Sequence, residues 1–332
     1  MKILYIGGTG EVSYGCITAE LELGHQISVY NRGTSGVKLP RGASHIAGDV
    51  NDDAKYMSLG RQGWDAVCQF RSFDLGQCER DIDAFAGRVG QFLFISTAMV
   101  YQHPPIPFRV SETFPRGNPH SPYAQKKMAI EDRLMEVHGA GRMKVTVVRP
   151  SHTLRTRFPS AFIEDHHAIW RLQHGKPIIS HGDGSSLWTV TRCEDFGRAF
   201  AGLVGNPRAM GETFHITHDR AYCWDTIYQA AAAEFGVTAQ LAHLPSDTLI
   251  RYHPAWAEPL HGDKTHSMLF DNSKIKQAVG GWECRCDLDD IIRMAAPHVR
   301  ARLARFTPDA RLDAMLDHII EDQSKVGRGL PA

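Results

Sequence analysis

A run of apolar residues of strand length, Ile3-Leu4-Tyr5-Ile6, stops on Gly7-Gly8-Thr9-Gly10, and this junction constrains the chain more than any other segment. Glycine reaches positive φ without strain and lets backbone come close to a ligand, so a strand that ends on glycines ahead of a helix marks the start of a βαβ unit. The same rhythm continues downstream. Residues 26–30, 44–46, 66–70, 91–96 and 144–148 read as strands, and residues 11–23, 52–59, 78–89 and 121–138 as amphipathic helices. Alternation of this kind implies a parallel sheet with crossover helices, whose ligands sit beyond the carboxyl ends of the strands. The chemistry is therefore expected just after Ile6, Tyr30, Phe70 and Ser96.

The fold class expected is α/β: a Rossmann-like doubly wound parallel sheet with a smaller C-terminal substrate-binding region. Residues 1–150 read as an NAD(P)-binding domain. After Arg149-Pro150 the chain turns to longer loops rich in Pro, His and Gly, with helices expected at 160–173 and 224–235. Residues 151–332 are expected to form mainly the substrate region, with 190–217 returning to the main sheet through a strand at 213–217. The end is amphipathic helix from 288 and a polar tail at 323–332.

Lys plus Arg total 37 and Asp plus Glu total 37, so no long-range field exists to hold a polyanion, and no nucleic-acid partner is expected. The chain has no run of eighteen apolar residues and no signal-peptide pattern, so a cytoplasmic protein without a membrane partner is expected. Seven cysteines cannot all pair, and Cys284-Arg285-Cys286 lacks a companion pair, while the 18 histidines are scattered; no metal site is expected.

Gly7 and Gly10 match the first two glycines of G-x-x-G-x-x-G, with Ser13 in the third place and Glu11 and Val12 opening the helix whose free N–H groups would face a pyrophosphate. A serine there allows slightly less close packing of helix on strand. The second strand ends in Tyr30-Asn31-Arg32-Gly33. Asn31 has no charge to repel a 2′-phosphate and Arg32 offers a guanidinium fork to hold one, which favours NADP(H) over NAD(H). Asp49 is a candidate for the adenine amino group, and Phe70, Arg149 and Pro150 at strand ends complete the expected cofactor contacts.

Tyr123 and Lys127 are four apart and share one helix face. An ammonium beside a phenol favours the phenolate, so this pair is expected to lower the tyrosine pKa and let it exchange a proton with a substrate hydroxyl. Thr97 or Ser96, at the end of the fifth strand, can hold the same substrate oxygen.

Together these residues resemble the extended short-chain dehydrogenase/reductase family, its NAD-dependent epimerase/dehydratase group, over roughly residues 1–300. The resemblance rests on Gly7-Gly8-Thr9-Gly10, Ser96-Thr97-x-x-Val100-Tyr101, Ser121-Pro122-Tyr123-x-x-x-Lys127, Val148-Arg149-Pro150, and Gly182-Asp183-Gly184 leading to Glu194-Asp195-Phe196. It implies that Thr97 steadies the substrate, that Tyr123 is the general acid/base, and that Lys127 also holds the nicotinamide ribose. It further implies a homodimer built through the helices at 78–89 and 121–138. Ala98 and Met99 stand where sugar-nucleotide dehydratases of this family carry Asp-Glu, so 4,6-dehydration is not expected. Trp188 stands where members that bind nucleotide diphosphate sugars carry an arginine, so either another cation grips the diphosphate or the substrate has none.

Candidate substrate contacts are Ser96, Ala98, His152, Trp188 and Lys264. The expected activity is hydride transfer at a secondary alcohol carbon of a carbohydrate or nucleotide sugar, as oxidoreductase or epimerase. Two alternatives from another class are a protein that keeps the fold to hold RNA or a partner, as the chloroplast stem-loop RNA-binding proteins that resemble this family do, and a nicotinamide-sensing regulator.

Overall fold

The computed structural model describes residues 1–104 and 109–326; most of the polar tail anticipated at 323–332 lies outside them. Seven parallel strands form the central sheet: β1 (Lys2–Ile6), β2 (Gln26–Asn31), β3 (Ser44–Ala47), β4 (Ala66–Gln69), β5 (Gln91–Ile95), β6 (Val145–Pro150) and β7 (Glu212–Ile216). Their order is β7-β6-β5-β4-β1-β2-β3, and the direction of strand addition reverses between β1 and β4. That switch point opens a crevice at the carboxyl edge, the place where such sheets bind ligands. Ile6 pairs with Tyr30 on one side and Gln69 on the other, so the three strand ends lie level.

Seven helices matter for the site: α1 (Ser13–Glu22), α2 (Asp53–Leu59), α3 (Leu75–Phe85), α4 (Pro122–Gly139), α5 (Asp165–Gln173), α6 (Cys193–Ala201) and α7 (Trp224–Glu234). Side chains alternate across a strand, and β1 uses both faces. Ile3 and Tyr5 pack with Cys16 and Ile17 of α1 and Phe196 and Phe200 of α6. Leu4 and Ile6 pack with Tyr56, Ile82, Phe85, Ile130 and Leu134 from α2, α3 and α4. A third apolar cluster around Trp188, Trp224 and Ile291 builds the C-terminal region. β7 joins β6 along Thr213↔Val147 and Phe214↔Val148, which returns this late segment to the sheet.

Several boundaries differ from the sequence reading. Helix α3 starts at Leu75 because the Asp74 carboxylate accepts from Gln77 N, and it ends before Gly87, whose φ is +69°. Helix α5 starts at Asp165, since that carboxylate is drawn back to Phe158 N and to Arg302. The closest helix approach is also displaced. Ser13 is buried and its Oγ accepts from Gly10 N at 3.1 Å, while the glycine that lets backbones meet is Gly15. A Cβ on Gly15 would stand 2.0 Å from the Cys193 carbonyl oxygen, and one on Gly197 would stand 2.2 Å from the Gly15 carbonyl oxygen.

No methyl fits between α1 and α6 without pushing them apart. Gly15→Ala or Gly197→Ala should cost about 1–3 kcal/mol of stability, the usual range for overpacking, measured as a lowered denaturant midpoint with unchanged slope.

Candidate functional site

Beyond β1, the chain turns through Gly7 and Gly8 with φ of +107° and +111°. Gly8 could not be replaced: a Cβ would sit 2.6 Å from Val29 Cγ1. Asn31 Nδ2 donates to the Gly7 carbonyl at 3.3 Å and ties the turn to β2. Glu11 anchors it from the other side, its Oε2 accepting from Arg155 N at 2.7 Å and Thr156 N at 2.8 Å. Partial burial works against the charge, yet the Thr156 and Arg155 donors hold the Glu11 carboxyl below its usual range. The glycines of the turn, together with Val12, face a cleft of about 410 Å³ that also includes Phe70, Ser96, Thr97, Tyr123, Lys127 and Pro150.

A second cavity of about 240 Å³ meets the cleft at Gly7, Thr9 and Arg71 and runs over the ends of β2 and β3, past Asn31, Arg32 and Asp49. Tyr30 Oη donates to the Asp49 carbonyl at 2.7 Å, and Asp49 Oδ1 accepts from Asn51 N at 2.9 Å, so this wall is ordered by local bonds. Arg32 is exposed on the rim. Arg71 lies at the junction of the two cavities and was not anticipated. Its only sequence signal is its position directly after the end of β4 and Phe70.

Helix α4 begins at Pro122 because Ser121 caps it: the hydroxyl accepts from Ala124 N at 3.0 Å, and proline suits the first turn. Tyr123 and Lys127 therefore lie one turn apart. Lys127 is 2% exposed, and its Nζ donates to the carbonyls of Ser72 and Ile95, both at 2.8 Å. Burial pulls its pKa down to about 7, against the pull of the Glu131 and Asp81 carboxylates. Tyr123 stands at the rim, 37% exposed, with Lys127 Nζ 5.9 Å from its ring centre.

The expected lowering of the phenol pKa is corrected by this geometry. Partial enclosure and the Glu258 carboxylate push Tyr123 up to about 12. The lysine's protons are directed at two backbone carbonyls, and Glu258 Oε1 accepts from Ser121 Oγ at 2.6 Å and from Tyr123 N at 3.4 Å. Thr97 Oγ1 accepts from Met99 N at 3.2 Å, and Ser96 Oγ is buried with no partner among the described residues.

A buried polar set supports the Lys127 bonds. Gln69 Nε2 donates to Asp81 Oδ1 at 2.6 Å and to Tyr56 Oη at 2.9 Å, and Gln69 Oε1 accepts from Arg71 N at 2.7 Å. Burial raises the Asp81 carboxyl to about 6. The set holds the strand end that presents Ser72 and Arg71.

Other expected contacts are placed elsewhere. Arg149 has its guanidinium on Glu131 through Nε at 2.9 Å and Nη2 at 2.6 Å, under the Tyr101 ring, and does not line the cleft. Ala98 is buried in the apolar cluster of the C-terminal region and does not line the cleft. Trp188 is 2% exposed in the core beside Trp224, and Lys264 is bonded to Asp263 at 2.6 Å. His152 lies edge-on to both tryptophans and lines a separate cavity. Burial, and then the Lys264 cation, pull the His152 pKa down to about 3, so it is neutral. Among the described residues, Glu164, Asp165 and His166 are close enough to share an ion, but Asp165 is already bonded to Phe158 N and Arg302. No described helix is long and apolar enough to cross a membrane.

A doubly wound sheet with a glycine turn, a strand-end threonine and a Tyr-x-x-x-Lys helix around one cleft defines a nicotinamide-dependent enzyme of the extended short-chain dehydrogenase/reductase type. Residues 3–217 match the NAD dependent epimerase/dehydratase family, and the chain belongs to it. It is 24% identical over 250 residues to 2'-dehydrokanamycin reductase of Streptomyces kanamyceticus, covering 74% of this chain and 70% of that protein. It is 24% identical over 273 residues to the chloroplast stem-loop binding protein of 41 kDa b of Arabidopsis thaliana, covering 76% of this chain and 66% of that one. The fold matches UDP-glucuronic acid 4-epimerase from Bacillus cereus, solved with UDP-glucuronic acid and NAD, at a TM-score of 0.73, 18% identity, and coverage of 91% and 99% of the two chains.

Lys127 also makes a pH prediction. Its folded pKa lies near 7 and its unfolded pKa at the ordinary lysine value, so between them the unfolded chain binds more protons. The cost of the buried charge is full below about pH 7 and is relieved as pH rises through that window. Lys127→Met should remove this part of the rise, read as a flatter pH dependence of the denaturation free energy than in the unaltered protein.

Proposed function

We propose that this chain transfers hydride between a nicotinamide cofactor and a secondary alcohol or ketone carbon of a carbohydrate or nucleotide sugar, with Tyr123 as general acid/base. The observation that carries the reading is the meeting of the glycine turn, Thr97, Tyr123 and Lys127 in one cleft. The residues fit a dinucleotide: two cavities share Gly7, Thr9 and Arg71 in their linings, and Ser96 keeps an unpartnered hydroxyl in the cleft. The cofactor, when bound, supplies the hydride donor or acceptor.

The chain's own groups then divide the work. Thr97 steadies the substrate oxygen. Tyr123 exchanges a proton with that oxygen, and Lys127 clamps the helix of Tyr123 to the ends of β4 and β5. A phenol held at about 12 keeps its proton near neutrality, so giving that proton to a carbonyl oxygen, the reducing direction, suits the protein's electrostatics. The relative named as a reductase supports the same direction. Ala98 and Met99 offer no acid or base for elimination, so dehydration is not part of the proposal. NADP(H) is the favoured cofactor, since Arg32 and Arg71 both border the cavity at the end of β2, and NAD(H) is the alternative. An RNA-holding role, suggested by the chloroplast relative, has the balanced charge of the chain and the assembled Thr97, Tyr123 and Lys127 cleft against it. Seven free thiols suit a cytoplasmic setting.

Tyr123→Phe should lower turnover by about 10²–10⁴-fold while cofactor affinity, read by fluorescence titration, stays the same. Full turnover in that variant would sink the mechanism. Arg32→Ala should weaken NADP(H) binding by about tenfold or more, the scale of one charge-assisted hydrogen bond, and leave NAD(H) binding nearly unchanged. A homodimer through α3 and α4, whose outer faces are linked by Arg133 and Glu79, is also proposed, and light scattering should give twice the chain mass.

A further inference from the structure

Glu258 belongs to none of the motifs above. It lies on the short helix Ala257–Pro259, which runs directly into a π-helical turn at Leu260–Lys264, a rare form that concentrates at functional sites. This segment is fastened to the start of α4 at two points. One is the Glu258 contact with Ser121 and Tyr123 already described; the other is Asn118 Nδ2 donating to the Gly262 carbonyl at 2.6 Å. A carboxylate is well placed by the exposed amides of a helix N-terminus. Oε1 takes both of its bonds, and Oε2 has no partner among the described residues.

The cavity lined by His152 shares no described lining residue with the catalytic cleft, but Ser151 and His152, neighbours in the chain, line the cleft and the cavity respectively. It encloses about 470 Å³, and Trp256 and Pro259, just before and just after Ala257-Glu258 in the chain, form part of its wall. Phe158, Phe162 and Trp256 give it aromatic faces suited to the C–H side of a sugar ring or to a cation. Arg157 is the cation of the described lining, and it is bonded to Glu164 at 2.8 Å. Lys264 is held by Asp263, and Trp188 is in the core. The described lining of this cavity thus has no uncommitted cation to receive a diphosphate, and a carboxylate stands beside Tyr123; Arg71 lies in the catalytic cleft at its junction with the cavity over the ends of β2 and β3.

Building on the oxidoreductase reading, we propose that Glu258 is a specificity-determining residue and that the substrate is a free amino sugar, whose ammonium group pairs with the Glu258 carboxylate beside Tyr123, in preference to a nucleotide diphosphate sugar. The pairing is a charge-assisted hydrogen bond in a partly enclosed site, which gives both affinity and orientation. A diphosphate in the same place would meet a like charge, which disfavours it.

The test uses the full chain loaded with cofactor and three probes measured by calorimetry: kanamycin, built of amino sugars; fully N-acetylated kanamycin, which keeps the shape and loses the charge; and UDP-glucose. Kanamycin should bind about tenfold or more tighter than either of the others. In Glu258→Gln that preference for kanamycin over its acetylated form should fall to about even, with the cofactor dissociation constant unchanged. If Glu258→Gln melts at markedly lower temperature, Glu258→Asp, together with the loss of kanamycin affinity at raised salt in the unaltered protein, reads the same pairing. Equal binding of the two kanamycin forms, no binding of either, an unchanged preference in Glu258→Gln, or tighter binding of UDP-glucose would overturn the proposal. Failure of the oxidoreductase reading looks different, as absent cofactor binding or a Tyr123→Phe variant with full turnover.

Discussion

The buried ammonium of Lys127 is the interaction on which the site depends. Its two bonds to the Ser72 and Ile95 carbonyls join the ends of two neighbouring strand segments to the helix that carries Tyr123. The Ile95 carbonyl closes β5 and the Ser72 carbonyl lies past the end of β4, places where a buried acceptor left unpaired would cost about 1–3 kcal/mol. One side chain therefore satisfies the backbone, closes the floor of the cleft and sets the distance from helix to sheet.

That economy has an electrostatic consequence. Lys127 is so enclosed that its pKa falls to about 7, and Tyr123, beside Glu258, rises to about 12. The pair as it stands holds its phenolic proton instead of shedding it. The neighbouring Arg149–Glu131 pair and the Gln69, Asp81 and Tyr56 set are fully engaged with one another, so they stiffen the surroundings of the cleft without offering charge to a ligand. The ionisable groups left to meet a substrate near the phenol are few, which is why a single carboxylate on the 257–259 helix carries weight.

Much of the architecture was legible because its signals are local. The alternation of apolar strands with helical segments, the glycines after β1 and the four-residue spacing of Tyr123 and Lys127 all act within a few residues, where backbone geometry alone sets the outcome. The return of residues 212–216 to the sheet was legible for the same reason, as an apolar run of strand length. Less legible were features set by contacts across the chain. Ser13 suggested a looser helix, yet Gly15 makes the close approach, because the partner that demands it is Cys193, 178 positions away. The strand-end position of Arg149 suggests a cofactor contact, but Glu131, from the adjacent helix, holds its guanidinium. Trp188 and Lys264 are substrate candidates in the sequence, and the structure packs one in the core and pairs the other with its neighbour Asp263. Glu258 had no motif to announce it.

Sequence by itself determined the parallel α/β sheet, the place of its crevice and the face shared by phenol and amine, since strand periodicity, glycine dihedrals and helix pitch are properties of short segments. Only the tertiary structure decided how those groups are charged and which side chains reach them. A pKa follows from burial and from charges brought near by folding, and the carboxylate at Tyr123 arrives from 135 residues further along the chain.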